Sequence, residues 1–286
     1  MINDFQFTQA HDVVEALKAL KGKGRILPLA GGTNVLVNMK RAPLEADLLV
    51  DLSQLDTMTS ISNNDESFKL GAGVTFATLL EWSPGGAVEG LIRPMCIGFA
   101  GPLIRNLATI GGNICDASPA ADASPPLLAL DASVELESTD GGTRTLPLSE
   151  FFQGVRKTAC REDELVTSIS FSKPDDDERC FYYKLGKRKA DAISIVSIAI
   201  RVKLSGNKVE RVHIALGAVA AVAMRATEAE QVLQGEALNE NTIALAASAA
   251  AEQSQPIDDF RASGDYRRRM VEVLVKRGLN KIMQEK

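Results

Sequence analysis

Two glycine pairs constrain this 286-residue chain more than any other feature. The first lies in "LAGGTNVL", around Gly31 and Gly32. The second lies in "TIGGNICDASPAAD", from Thr109 to Asp122. Each pair follows an apolar stretch and runs on into small polar residues. Glycine lets a backbone approach what a Cβ would hold away. Successive N–H groups in such turns form an anion-binding concavity, and two of them suit a pyrophosphate. The alternative is a pair of ordinary tight turns. Neither stretch is a dinucleotide fingerprint, because Gly-x-Gly-x-x-Gly is absent, and neither is a Walker loop, because no Gly-Lys-Ser/Thr follows. From the residues alone, the reading stops at a phosphate-containing ligand.

Helix and strand patterns alternate around these turns. "DVVEALKAL" places Val13, Val14, Leu17 and Leu20 on one helical face. "RILPLA" and "LLVDLS" read as short buried strands, and "GGTNVLVNMK" as a glycine turn that coils into a helix. "SFKLGAGVTFATLLEW" predicts a strand, a turn and a helix capped by Thr75. "SPPLLALDASVELES" predicts a helix and then a strand. "FSKPDDDERC" reads as a linker near residues 173–179. Beyond it, "IVSIAIRVKLSGNKVERVHIALGAV" predicts an antiparallel hairpin with room for a further strand. Helical patterns near 225–235, 241–253 and 264–284 close the chain. The class expected is α+β, a larger N-terminal part followed by a smaller sheet-plus-helices C-terminal domain.

Composition excludes several functions. A net charge of -5 argues against nucleic acid as the main partner. No apolar run approaches the length of a membrane span, and the first twenty residues lack a signal-peptide core, so a cytoplasmic location is expected. Cys96, Cys115, Cys160 and Cys180 form no Cys-x-x-Cys pair, which speaks against a zinc or iron–sulfur site built by this chain. Only His11 and His213 offer imidazole.

The pair "LAGGTNVLVNMK" and "IRNLATIGGNICDASPAADASPPLLALDA" resembles the FAD-binding subunit of the molybdenum hydroxylases, a family that includes the medium subunit of carbon monoxide dehydrogenase and the flavin portion of xanthine dehydrogenase. The resemblance runs end to end: "FYYKLGKRKADAISIVSIAI" is similar to the start of the family's C-terminal domain, and "RASGDYRRRMVEVLVKRGL" to its final helix. It implies a two-subdomain FAD domain of the PCMH/vanillyl-alcohol-oxidase type over residues 1–173, divided near 55–65, followed by a small antiparallel sheet with helices over 178–286. It implies that Ala30, Gly31, Gly32, Thr33 and Asn34, with Leu29 and Val35 at the ends, wrap the FAD pyrophosphate. Thr109, Gly111, Gly112 and Asn113 then complete the cradle, and Asp122 accepts ribityl hydroxyls, a task for which a carboxylate is suited. Ser118 either touches the cofactor or only sets the Ser118-Pro119 turn. Phe99 is either a ring near the flavin or a core aromatic. Leu165 and Val166 are either cofactor contacts or ordinary strand residues. Lys184 is either a cation at the flavin's polar edge, biasing its potential, or a solvated lysine. Tyr182 or Tyr183 lies against the ring, with no choice between them. Asp116 is expected as a turn residue and Cys115 as a small buried one.

Further implications follow from the same resemblance. FAD is held non-covalently, since both histidines lie outside the two motifs and Cys115 is the only thiol inside one. The molybdenum cofactor and [2Fe–2S] clusters sit on a molybdopterin subunit and an iron–sulfur subunit, and electrons leave to NAD+ or another acceptor. The cysteines are too scattered for the inserted cluster of benzoyl-CoA reductase-type relatives. Two rival readings remain at this stage: a free-standing FAD oxidoreductase of the same wider fold, and a non-enzymatic nucleotide-binding or assembly module.

Overall fold

Three principal sheets carry the chain in the computed structural model, which describes residues 5–41, 46–188 and 191–285. The expected domain limits at 1 and 286 lie outside the described residues. First come β1 (Gln6–Gln9), α1 (Val13–Leu20), β2 (Ile26–Leu29), α2 (Val35–Arg41) and β3 (Leu48–Asp51). The middle of the chain forms α3 (Asp56–Thr59), β4 (Ile61–Asn63), β5 (Ser67–Gly71), α4 (Phe76–Glu81), α5 (Gly86–Gly98), α6 (Pro102–Arg105), α7 (Ile110–Cys115), α8 (Ser124–Ala129), β6 (Ser133–Ser138), β7 (Thr143–Pro147), α9 (Leu148–Phe151), β8 (Phe152–Gly154), β9 (Lys157–Thr158) and β10 (Glu164–Ser172). Last come β11 (Arg179–Leu185), β12 (Val196–Ser205), β13 (Lys208–Gly217), β14 (Met224–Arg225), α10 (Thr227–Leu233), α11 (Glu240–Gln253) and α12 (Gly264–Gln284).

The first sheet is parallel, ordered β1-β3-β2, as two consecutive strand–helix–strand crossovers require. Asp12 caps α1 by accepting from the Glu15 amide at 2.6 Å. The inward stripe of α1 is Val13, Ala16, Leu17 and Leu20. Val14, expected on that face, is 58% exposed, because one residue of offset turns a side chain by about 100°. β2 is half-buried rather than buried, since it lies at the sheet edge with Pro28 exposed.

The second sheet is antiparallel, ordered β4-β5-β10-β6-β7. Central β10 is buried over nearly its whole length and carries a bulge between Val166 and Ser168. Thr75 caps α4, as its position predicts. The third sheet, β11-β12-β13-β14, contains the expected hairpin and two further strands.

Both faces of the third sheet are covered. Ile198, Ile200, Val202, Ile214 and Leu216 pack into one apolar cluster with Val271, Leu274 and Val275 of α12 and Ala246, Ala247 and Ala250 of α11. Tyr182, Ala199 and Ala215, on the opposite face, join the core of the first half of the chain. Small residues at 199 and 215 let that face come close to α8. Every residue of α8 is buried. Its last carbonyl, on Ala129, accepts from Arg201 Nε at 2.9 Å, with His213 Nδ1 also at 2.9 Å.

Burial first, then the charges of Arg225 and Arg201, lower the His213 pKa from 6.5 to about 4. The unfolded imidazole takes up a proton below about 6.5 that the folded one refuses until about 4. This contribution to stability is complete above pH 6.5 and is lost as the pH falls through that window. Thermal melts between pH 7 and 4 should therefore show a smaller acid-side loss of Tm for His213→Gln than for the parent. Parallel curves would refute this assignment.

Candidate functional site

The first glycine turn links the end of β2 to α2. Gly32 has φ +67°, the left-handed region that glycine occupies at low cost. A Cβ on Gly31 would overlap the Leu107 carbonyl, so this turn lies directly against the segment leading into the second motif. Among the described residues, the amides of Gly31, Gly32, Thr33 and Asn34 donate to no backbone acceptor. Four such N–H groups in one turn are a donor surface for an anion.

The second turn is built differently from the expected concavity. Thr109 caps α7, its hydroxyl accepting from Gly112 N at 3.0 Å. Ile110 N donates to Val74 O at 2.9 Å, Gly111 N to Ala72 O at 2.8 Å, and Asn113 N to Thr109 O at 3.0 Å. All four amides are spent inside the protein. A Cβ on Gly111 would sit 2.5 Å from that of Ala72, so this glycine serves chain packing. Gly112 is exposed, and its added Cβ would meet only Thr109 Oγ1, at 2.9 Å. Asn113 Oδ1 accepts from Ala123 N at 3.3 Å, which leaves its amide NH2 as a donor.

Asp122 and Lys184 meet each other. Lys184 Nζ lies 2.6 Å from Asp122 Oδ2 and also donates to the Gly98 carbonyl at 2.9 Å. Ser194 Oγ donates to Asp122 Oδ1 at 2.7 Å. The two charged side chains are 8% and 9% exposed, so Lys184 is not a solvated lysine. Burial raises the Asp122 pKa, opposed by the charge and hydrogen bond of Lys184 and the hydrogen bond of Ser194. Tyr182 shares the Lys184 face of β11, whereas Tyr183 lies on the other face with its ring parallel to Phe181 and the Arg277 guanidinium 5.5 Å away. The Tyr182 hydroxyl is buried without a partner among the described residues, and burial, then Asp122 and Cys96, raise its pKa well above 10.

Phe99 follows α5 and stacks on Phe76, with centroids 3.8 Å apart and planes 12° apart. It is half-buried, so its ring is part core and part accessible. Arg105 Nη1 donates to the Phe99 and Ala100 carbonyls at 2.9 and 2.7 Å and so holds Ala100 at φ +38°. Leu165 and Val166 are buried in β10 at 4% and 6% exposure. Ser118 sets its turn: its carbonyl accepts from Ala121 N and its hydroxyl from Ala120 N. Asp116 ends α7 and pairs with Arg156. Cys115, expected to be buried, is exposed as a residue, although burial of its thiol raises that group's pKa.

Sequence reasoning missed Ser194, Arg105 and the Gly98 carbonyl. Ser194 and Gly98 carry no local signal. A period of two places Tyr182 on the Lys184 face of β11 and Tyr183 on the other.

The donor set fits a dinucleotide cofactor such as FAD. A turn of amides without backbone acceptors lies against the segment leading into Thr109, and the chain also carries a buried carboxylate–ammonium pair and a tyrosine hydroxyl without a partner among the described residues. Residues 3–174 match the FAD binding domain in molybdopterin dehydrogenase, and residues 181–282 match the CO dehydrogenase flavoprotein C-terminal domain. The chain is 31% identical to the glyceraldehyde dehydrogenase medium chain of Sulfolobus acidocaldarius over 279 residues, 98% of each chain. It is 28% identical to the xanthine dehydrogenase FAD-binding subunit of Escherichia coli O157:H7, covering 97% of this chain and 95% of that one. The structure of carbon monoxide dehydrogenase from Hydrogenophaga pseudoflava superposes with a TM-score of 0.93 at 30% identity, over 98% of this chain and 97% of the other. With nearly its whole length matched in sequence and in fold, this chain belongs to the FAD-binding, medium-chain family of the molybdenum hydroxylases.

Proposed function

We propose that this chain is the electron-transfer subunit of a cytoplasmic, multi-subunit molybdenum hydroxylase. It takes electrons from [2Fe–2S] clusters on an iron–sulfur partner and passes them to NAD+ or another acceptor, with molybdopterin on a third chain. The observation that carries this reading is the meeting of the open-amide turn at 31–34 with the Thr109 segment. FAD, when bound, supplies a carrier that accepts electrons singly and releases them in pairs. This chain's residues bind and bias it. The amides of Gly31 to Asn34 take the pyrophosphate. The Thr109 hydroxyl and the Asn113 side-chain amide line the other side, with Gly112 keeping that side low. Asp122 has about four acceptor positions, two of them used by Lys184 and Ser194, so ribityl hydroxyls have the remainder. The Lys184 ammonium, held off water by burial, favours negative charge nearby.

The cofactor part corresponds to residues 1–173, divided near 55–65, where the parallel sheet has ended at Asp51 and β4 begins at Ile61. Residues 178–286 form the C-terminal part and contribute Lys184 and Ser194. Among the described residues no cluster of three or more His, Cys, Asp or Glu side chains is arranged to hold a metal, and no helix is long and apolar enough to cross a membrane.

Three measurements test this reading. Acid precipitation of the purified chain should release yellow FAD into the supernatant, with iron and molybdenum far below stoichiometric in the same preparation. Colour retained in the pellet would contradict non-covalent binding, and stoichiometric metal would contradict the division of labour. At limiting FAD, Gly112→Val and Asp122→Asn should each lower flavin occupancy. For the lost charged acceptor, the affinity cost should be roughly 5- to 150-fold, from about 1–3 kcal/mol. Occupancy equal to the parent in both would remove the site assignment. Anaerobic NADH should bleach the visible flavin band of the loaded chain, and a band unchanged by NADH but bleached after adding the reduced iron–sulfur partner would assign a different acceptor.

A further inference from the structure

We infer that Arg201 is a positioning residue for the cofactor cradle: by holding the C-terminal carbonyl of α8, it fixes the place of Asp122 at the other end of that helix. The inference rests on the reading of Asp122 as a cofactor ligand. Arg201 itself touches none of the cradle residues. Its Nε donates to the Ala129 carbonyl at 2.9 Å, and its Nη1 lies 3.2 Å from Glu178 Oε2.

Several observations make α8 a rod that transmits position. It is six residues long, with Pro125 and Pro126 in its first turn. From Asp122 to Ala129 the chain advances roughly 10 Å at about 1.5 Å per residue. The third sheet grips this segment along its length. Ala218 N donates to Pro119 O at 2.7 Å, and Ser194 and Lys184 hold the Asp122 carboxylate. A Cβ on Gly217 would lie 2.8 Å from Pro125 Cγ, so the sheet lies hard against the first turn. At the far end Arg225 Nη1 is 3.4 Å from the Leu128 carbonyl, while Arg201 and His213 converge on that of Ala129. A helix clamped at both ends with no exposed residue has little room to relax locally. When one clamp is lost, the displacement reaches Asp122.

Arg201 is also a costly way to build stability. A buried ion pair is commonly no better than apolar residues of the same volume. What an apolar residue cannot do is donate to a helix-terminal carbonyl in one fixed direction. Of the three attachments of Arg201, to Glu178, Ala129 and His213, the first two are separable, because Glu178 belongs to the linker and Ala129 to α8.

The test uses the full chain, stripped of flavin and titrated with FAD. Arg201→Lys and Arg201→Met should each raise the Kd for FAD about tenfold, the equivalent of 1.4 kcal/mol, and change the visible circular dichroism of the bound flavin. Glu178→Gln weakens the ion pair and keeps the Ala129 bond. It should lower the Tm of the apo chain with Kd and spectrum unchanged. If Arg201→Met does not fold, Arg201→Lys decides. The double variant Arg201→Lys/Asp122→Asn should bind FAD no more weakly than Asp122→Asn alone, because both changes act through one carboxylate. Arg201 variants that lower Tm while Kd and spectrum stay at the parent's values overturn the inference, as does strict additivity in the double variant. A neutral Asp122→Asn overturns the site reading and this inference together.

Discussion

One buried pair, Lys184 with Asp122, holds the second glycine motif, the end of α5 and the C-terminal sheet to one another. Each charge is satisfied twice, the ammonium by Asp122 and the Gly98 carbonyl, the carboxylate by Lys184 and Ser194. Such satisfaction is what makes two desolvated charges tolerable, and removing one partner of a pair like this costs about 3–5 kcal/mol. The pair contributes specificity more than stability. It admits one arrangement of three chain segments that are far apart in sequence.

The third sheet makes this arrangement possible because it has no solvent face over its centre. One side is aliphatic and packs on α11 and α12. The other carries Ser197, Ala199, Arg201, His213, Ala215 and Gly217, small or polar residues that admit α8 closely and reach its carbonyls. Alternation along β12 therefore separates two kinds of buried environment. Arg201 is buried at 7% exposure with a guanidinium pKa lowered first by desolvation, which Glu178 opposes.

Much of this was legible in the sequence. Capping residues located α4, and period-two patterns located β12 and β13. Both glycine pairs marked places where backbones come close. What each glycine approaches was not legible. Gly31 and Gly111 approach other parts of the same chain, and only the first turn leaves its amides unpartnered. A local pattern cannot tell a ligand from a neighbouring loop, because both demand the absence of a Cβ. Val14 failed for a simpler reason: it follows Val13 directly, and one residue turns a helical side chain by about 100°, off the stripe that Val13 begins. Ser194 and the Gly98 carbonyl have no local signature, since their roles exist only after distant strands pair.

The chain order of the Lys184–Asp122 pair also bears on biosynthesis. A ribosome releases the whole glycine-rich motif, Asp122 included, tens of residues before Lys184 and Ser194 are made. During that interval the carboxylate has neither its ammonium nor its hydroxyl donor, and α8 has no sheet to lie against. The nascent segment must keep Asp122 hydrated and α8 loosely placed. Asp122 therefore gains its two partners only once β11 and the segment leading into β12 have been made.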